Sequence, residues 1–144
     1  MPNGGYTARV ECTLFFCHRA GSDESGQLEV RGIFDELRAP SFPARQPRMR
    51  LAGLLSWNDG ERGRVPFLIE LLDPGDKAVF TIQGFSEVEE SPGSAAPPRT
   101  QLNLPLEDVT FPEPGRYRVR LEVDGTQIYG PSLYLGKAHE SPVE

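Results

Sequence analysis

Apolar and polar side chains alternate along most of this chain. In the first clear run Tyr6, Ala8, Val10, Cys12, Leu14 and Phe16 fall on one side, and Thr7, Arg9, Glu11 and Thr13 on the other. A period of two marks a half-buried strand. The polar cluster 21–26 (GSDESG) then predicts a turn, and Leu28 and Val30 resume the extended pattern, so the two form a hairpin. Gly32, with Ile33 and Phe34 after it, breaks the period, as a bulge or a strand changing its facing would.

Between 38 and 50 (RAPSFPARQPRMR) stand Pro40, Pro43 and Pro47. Each removes a backbone donor and forces its predecessor extended, which excludes a helix. The segment is expected to cross in ordered form between sheets, anchored by Phe42, with Phe42–Pro43 a candidate cis bond. Strand character is expected from Arg50 to Trp57, with Leu51, Leu55 and Trp57 on one face, followed by a turn at Asn58, Asp59 and Gly60. Val65, Phe67, Ile69 and Leu71 alternate next. Asp73, Pro74, Gly75 and Asp76 predict a tight turn into Ala78, Phe80 and Ile82. The acid-, Ser-, Ala- and Pro-rich stretch about 86–99 offers little to bury and is expected to be a mobile loop.

Leu102, Leu104 and Leu106 give another period-two run. The corner 111–115 (FPEPG) leads into the clearest strand, with Tyr117, Val119, Leu121 and Val123 inward and Arg116, Arg118, Arg120 and Glu122 outward. Asp124-Gly125 is a preferred two-residue hairpin turn, and Gly130-Pro131 demands a kink or an edge position in the returning strand. About eight short strands with regular turn signals, and no window of helical period, predict an all-β, immunoglobulin-like, two-sheet antiparallel sandwich. Tyr117 stands where the tyrosine corner of such sandwiches stands, its hydroxyl expected to tie back to the upstream backbone. The whole chain, 1–144, reads as a single domain with an ordered core about 6–135 and a frayed tail 136–144.

The net charge of −6 makes a phosphate backbone an unfavourable partner, so nucleic acid is not expected. No stretch has the length of a membrane span and the N-terminus lacks a signal peptide's basic opening, so neither a membrane nor export is expected. Cys12 and Cys17, about 16 Å apart if on one strand at ~3.3 Å per residue, cannot bridge. Two free thiols suit a reducing compartment, and a cytoplasmic location is expected.

Candidate chemistry is sparse. His18 and His139 lack metal-ligand spacing with the cysteines, so no metal and no cofactor are expected. Cys17 and His18, as strand neighbours, point to opposite faces, and the sequence has neither a nucleophile elbow nor a phosphate-cradling glycine loop. Neighbouring carboxylates such as Asp35-Glu36 and Glu107-Asp108 sit at turns or strand ends, where solvating acids are ordinary. Calcium at Asp73 and Asp76 lacks the DxDxDG loop. No catalytic residue is assigned and no enzymatic activity is expected.

Two basic groups remain as candidates for contact with a partner. Arg116, Arg118 and Arg120 repeat at about 6.6 Å, twice the ~3.3 Å rise, along one outward face. They either grip an acidic partner or pair with Glu29 or Glu70 on neighbouring strands. Arg45, Arg48 and Arg50 with Phe42 and Trp57 form a second patch near the proline-rich crossing, in residue types that interfaces favour.

The segments Gly32-Ile33-Phe34-Asp35-x-Leu37-x-Ala39-Pro40-x-Phe42-Pro43, Leu71-x-Asp73-Pro74 and Phe111-Pro112-x-Pro114-Gly115-x-Tyr117, ending in Asp124-Gly125, resemble an uncharacterised bacterial family of small cytoplasmic domains of unknown function. The resemblance spans about residues 6–135. It implies a bacterial source and a β-sandwich scaffold, and it supplies no catalytic residue. The leading functional expectation is a non-enzymatic interaction module whose partner is another protein, a second copy of the chain included. The alternatives are a small-ligand or carbohydrate-binding sandwich using Trp57, Phe42 or Tyr129 as a stacking platform, and a hydrolase in which distant loops bring an acid and a nucleophile to His18.

Overall fold

The computed structural model describes residues 10–57, 63–89, 96–123 and 125–138. Among them the chain is all-β, in ten strands: β1 (Val10–Cys17), β2 (Arg19–Ser22), β3 (Leu28–Arg31), β4 (Glu36–Ala39), β5 (Ala44–Trp57), β6 (Gly63–Leu72), β7 (Ala78–Val88), β8 (Arg99–Phe111), β9 (Gly115–Val123) and β10 (Thr126–Lys137). They form a three-stranded sheet β1-β5-β8, a five-stranded sheet β4-β10-β9-β6-β7 and a two-stranded ribbon β2-β3. The expectation of about eight strands in two antiparallel sheets is corrected in three respects. There are two more strands, a separate ribbon, and a parallel pair, in which Tyr134 to Lys137 of β10 run beside Glu36 to Ala39 of β4.

The inner faces of the two larger sheets share one apolar core. Phe16, Leu51 and Leu55 enter from the three-stranded sheet, and Val119, Leu121 and Leu133 from the five-stranded one. Each side chain of this size contributes roughly 1.5–3 kcal/mol on full burial. Strand β9 follows the predicted alternation residue by residue, with Tyr117, Val119, Leu121 and Val123 buried.

Two of the passages between the larger sheets run wholly through described residues. Residues 40–43 carry the chain from β4 to β5 with a cis bond at Phe42–Pro43, and Phe42 packs against the core, as the sequence suggested. Residues 112–114 carry it from β8 to β9. There the Tyr117 hydroxyl donates to the Glu113 carbonyl at 2.6 Å, and its ring meets Phe111 edge-on at 5.0 Å. Gly115, at φ 134°, supplies the backbone turn that only glycine adopts without strain.

Two hairpins use one turn device. Asp23 Oδ1 accepts from the amides of Ser25 and Gln27, and Asp73 Oδ1 from those of Gly75 and Lys77, so each aspartate closes a five-residue loop on itself. The left-handed position is filled by Gly26 in one and Asp76 in the other.

Three predicted boundaries move. Strand β5 begins at Ala44 rather than Arg50, because positions 44–49 pair with β8, and Pro47 is tolerated there because β1 pairs only with 50–57 and leaves that edge open. Strand β7 continues to Val88, and both Ser86 and Val88 are buried; at the other end of the expected loop the buried Pro98 accepts a hydrogen bond from the Trp57 amide. Residues 90–95 of that loop lie outside the described residues, as do the turn at 58–60, Tyr6, Ala8, Asp124 and the tail 139–144, whereas Gly136 and Lys137 belong to β10.

One glycine is fixed by close approach. A Cβ on Gly53 would stand 1.8 Å from the Thr13 carbonyl oxygen and 2.8 Å from Leu14 Cα of the paired strand, both backbone atoms that cannot swing aside. Gly53→Ala is expected to destabilise the fold by about 3 kcal/mol, the upper range for overpacking, whereas Gly21→Ala, with open space around its Cβ, stays within ~0.5 kcal/mol. Chemical denaturation of the two variants checks the contrast.

Candidate interaction surfaces

The side chains singled out by sequence do not form one patch. Trp57 is 2% exposed, and its indole N–H donates to Thr100 Oγ1 at 2.8 Å, which lies 2.7 Å from the hydroxyl of buried Ser86. This neutral relay links β5, β8 and β7, and so joins the two sheets. Trp57 therefore leaves the proposed surface, because the strand face it shares with Leu51 and Leu55 is the core face. Phe42 is half-buried against that core. Arg45 remains exposed and ion-paired to Asp108, Arg48 is exposed, and Arg50 donates to Asn103 Oδ1 at 2.8 Å.

The second group does share a face. Arg116, Arg118 and Arg120 project from the outer side of the five-stranded sheet, opposite the core. Arg120 bonds Glu70 at 2.7 Å, the cross-strand pairing anticipated, while Glu29 lies on the ribbon and takes no part. Hydrogen bonding to Glu70 holds the Arg120 guanidinium above its ordinary pKa. Arg118 bonds Asp76 at 3.2 Å and lies 4.0 Å over the ring of Tyr129. Arg116 donates to Ser132 Oγ at 2.9 Å and has no carboxylate partner among the described residues.

Around the arginines stand aromatics that the sequence pattern did not assign to this face. Tyr129 and Tyr134 are each 48% exposed and oppose Arg120 and Arg116 across the β9–β10 pair. Five residues apart on a regular strand, they would point to opposite sides. The register shift between Tyr129 and Ser132, at Gly130-Pro131, absorbs the odd residue and brings both outward. At the other margin Phe85 is 57% exposed under the Arg64 guanidinium, 4.2 Å from its ring. Pro66, Leu68, Gln83, Phe85 and Glu122 line a shallow hollow of about 640 Å³ there.

The outer face of the three-stranded sheet is partly covered instead. The β2–β3 ribbon lies across it, tied by Gln101 Nε2 to the Gly26 carbonyl at 2.7 Å and by Asn103 Nδ2 to the Ala20 carbonyl at 3.0 Å. A cleft of about 600 Å³ between ribbon and sheet is lined by Phe15, Leu28, Val30 and Leu54 with Thr13, Gln27 and Arg99.

Reactive groups stay dispersed. His18 is exposed and stacks on Phe34 at 4.6 Å, and His139 lies outside the described residues. Among the described residues no cluster of three His, Cys, Asp or Glu side chains is placed to hold a metal ion, and Asp73 Oδ1 already accepts two amides. Cys12 and Cys17 are both free thiols, half-buried and buried.

With this geometry in hand, the sequence matches the model of a described family, "Family of unknown function (DUF6941)", over residues 13–135. The chain belongs to that family. Among curated proteins none matches. Of 19 matching chains of known structure, one is the Pseudomonas fluorescens alkylpurine DNA glycosylase AlkC bound to DNA containing an abasic site analog. It aligns at a TM-score of 0.36 and 14% identity over 70% of this chain and 27% of that one. The chain thus spans about a quarter of the glycosylase chain, and so weak a likeness transfers neither fold nor activity. No helix among the described residues is long and apolar enough to cross a membrane.

Burial pushes both thiols above the ordinary value of 9.0; for Cys17 the Arg50 guanidinium and a backbone hydrogen bond at Arg19 oppose the rise. The folded protein therefore keeps protons that the unfolded chain releases. The resulting stabilisation is complete below about pH 9 and is lost as pH rises through the folded-state values. Stability is expected to fall on the alkaline side, less steeply in Cys12→Ser than in the parent, and thiol labelling at neutral pH to be slow until denaturant is added. Denaturation midpoints across an alkaline pH series check the first expectation, and labelling rates the second.

Proposed function

We propose that this protein is a non-enzymatic interaction module of the cytoplasm, an immunoglobulin-like sandwich that binds another protein through the outer face of its five-stranded sheet. The observation that carries this reading is the pairing of guanidinium and ring on a solvent-facing sheet: Arg118 over Tyr129 and Arg64 over Phe85, with Tyr134 exposed beside Arg116. Arginine and tyrosine are the side chains that most often dominate binding energy at protein interfaces. Stacking and ion pairing hold these long side chains in place, which reduces the entropy lost when a partner docks. The tyrosine-corner bond and the core shared by two sheets support the immunoglobulin-like description, and the two unbridged thiols support the reducing compartment.

A second reading, a small-ligand site, draws its support from the cleft under the β2–β3 ribbon, where four apolar side chains meet Gln27 and Arg99. It differs from the aromatic platform expected from sequence, since Trp57 is buried and one face of the Tyr129 ring already carries the Arg118 guanidinium.

The variant Tyr129→Ser/Tyr134→Ser tests the first reading. Its circular dichroism and melting temperature are expected to match the parent, because both rings are exposed. Proteins that immobilised parent chain retains from lysate of its source cells should be lost by at least tenfold on the variant, about 1.4 kcal/mol in binding. Equal retention, or none by either chain, contradicts a partner-binding role for this face. Leu54→Trp, which fills the cleft, leaves such retention unchanged under the first reading and abolishes ligand-induced thermal shifts under the second.

A further inference from the structure

We infer that the partner for this face is a second copy of the chain, docked across a two-fold axis that lays one β9 antiparallel on the other; the inference rests on the interaction reading above. Its basis is the unequal chemistry of the two ends of β9. Arg116, at one end, is an exposed cation with no carboxylate partner among the described residues. Glu122 lies six residues on and points the same way. It borders the hollow of about 640 Å³ whose other walls include Pro66, Leu68 and Phe85, and no ion pair to it is present among the described residues. One end thus carries a projecting guanidinium, and the other a largely apolar socket bordered by Glu122, with the Arg64 guanidinium held against its Phe85 wall.

A two-fold axis in the plane of the interface and perpendicular to the strands reverses β9. It sets Arg116 of each copy against the partner's Glu122, twice per dimer, as an isologous contact requires. The guanidinium head meets the carboxylate while its methylene stem lies along the apolar wall. At the centre Arg118 faces the partner's Arg120, and this does not repel strongly, because each is already neutralised within its own chain by Asp76 and Glu70. On the neighbouring strand the same operation brings Tyr134 opposite the partner's Gln127, and Tyr129 opposite the partner's Ser132, with no like charges between them. The available face suffices in size: four strands along the nine residues of β9, with the four residues of β4, at ~3.3 Å per residue and ~4.8 Å per strand span about 630 Å², within the ~600–1,000 Å² per partner of a standard interface. Aligned packing of two sheets face to face is a common arrangement for such surfaces.

Sedimentation equilibrium of the full chain across a concentration series, at low and high salt, tests this. The parent is expected to dimerise, with the dissociation constant rising as salt screens the two charge pairs. Arg116→Glu and Glu122→Arg should each weaken the dimer at least tenfold by setting like charges together, and Arg116→Glu/Glu122→Arg should recover most of the loss. Both residue changes are on exposed or half-exposed positions, and the melting temperature of each variant confirms folding. A parent that stays monomeric throughout, or a double variant no tighter than the singles, overturns the dimer. Monomeric parent together with lysate proteins lost on Tyr129→Ser/Tyr134→Ser would overturn the second copy as occupant while leaving the interaction reading intact. Retention unaffected by that variant would remove the reading itself.

Discussion

The inward placement of Tyr117 governs the rest of the molecule. It is wholly buried, it packs edge-on against Phe111, and its hydroxyl closes on the Glu113 carbonyl. Those contacts fix the corner at which the chain leaves the three-stranded sheet and enters the five-stranded one. They also set the phase of β9. Because side chains on a strand alternate strictly, placing Tyr117 in the core sends Arg116, Arg118, Arg120 and Glu122 outward together. A slip of one residue would bury the charges and expose the core. The surface we assign to partner binding is therefore a consequence of core packing, which is why four charged or aromatic-stacked side chains can be held there without a loop to position them.

Neighbouring strands then convert a row of arginines into a patterned face. Strand β6 supplies Glu70, the β6–β7 turn supplies Asp76, and β10 supplies Tyr129 and Tyr134. The internal ion pairs are half-exposed and add little stability. Their effect is on specificity: they neutralise the middle of the face and, among the described residues, leave Arg116 at one end and Glu122 at the other without an ion pair. A chain of net charge −6 would otherwise disfavour its own association.

Much of this was legible in the residues themselves. The alternation 117–123, the two Asp-led turns, the sheet crossing at Pro40 and Pro43 and the tyrosine-corner bond all follow from local rules. What escaped were effects that depend on distant neighbours. Trp57 reads as an interface residue by type, yet its strand face belongs to the core, and its indole finds Thr100 forty-three positions away. The strand character of 86–88 was hidden by a polar composition, and is imposed by pairing with β6 and by the Ser86–Thr100 contact. Tyr134 joins Tyr129 on the outer face only because Gly130-Pro131 shifts the register, an event whose residue count cannot be read from period alone. The ribbon's position over the three-stranded sheet depends on two side-chain amides, Gln101 and Asn103, that look like ordinary surface residues in the sequence.

Hydroxyl-radical footprinting of the chain, dilute and concentrated, tests directly which face is occupied. The account predicts that Tyr129 and Tyr134 become protected from oxidation on concentration while Phe15 and Ile33, exposed elsewhere on the molecule, react at unchanged rates. Protection confined to Phe15 and Ile33, or none at any concentration, would contradict it.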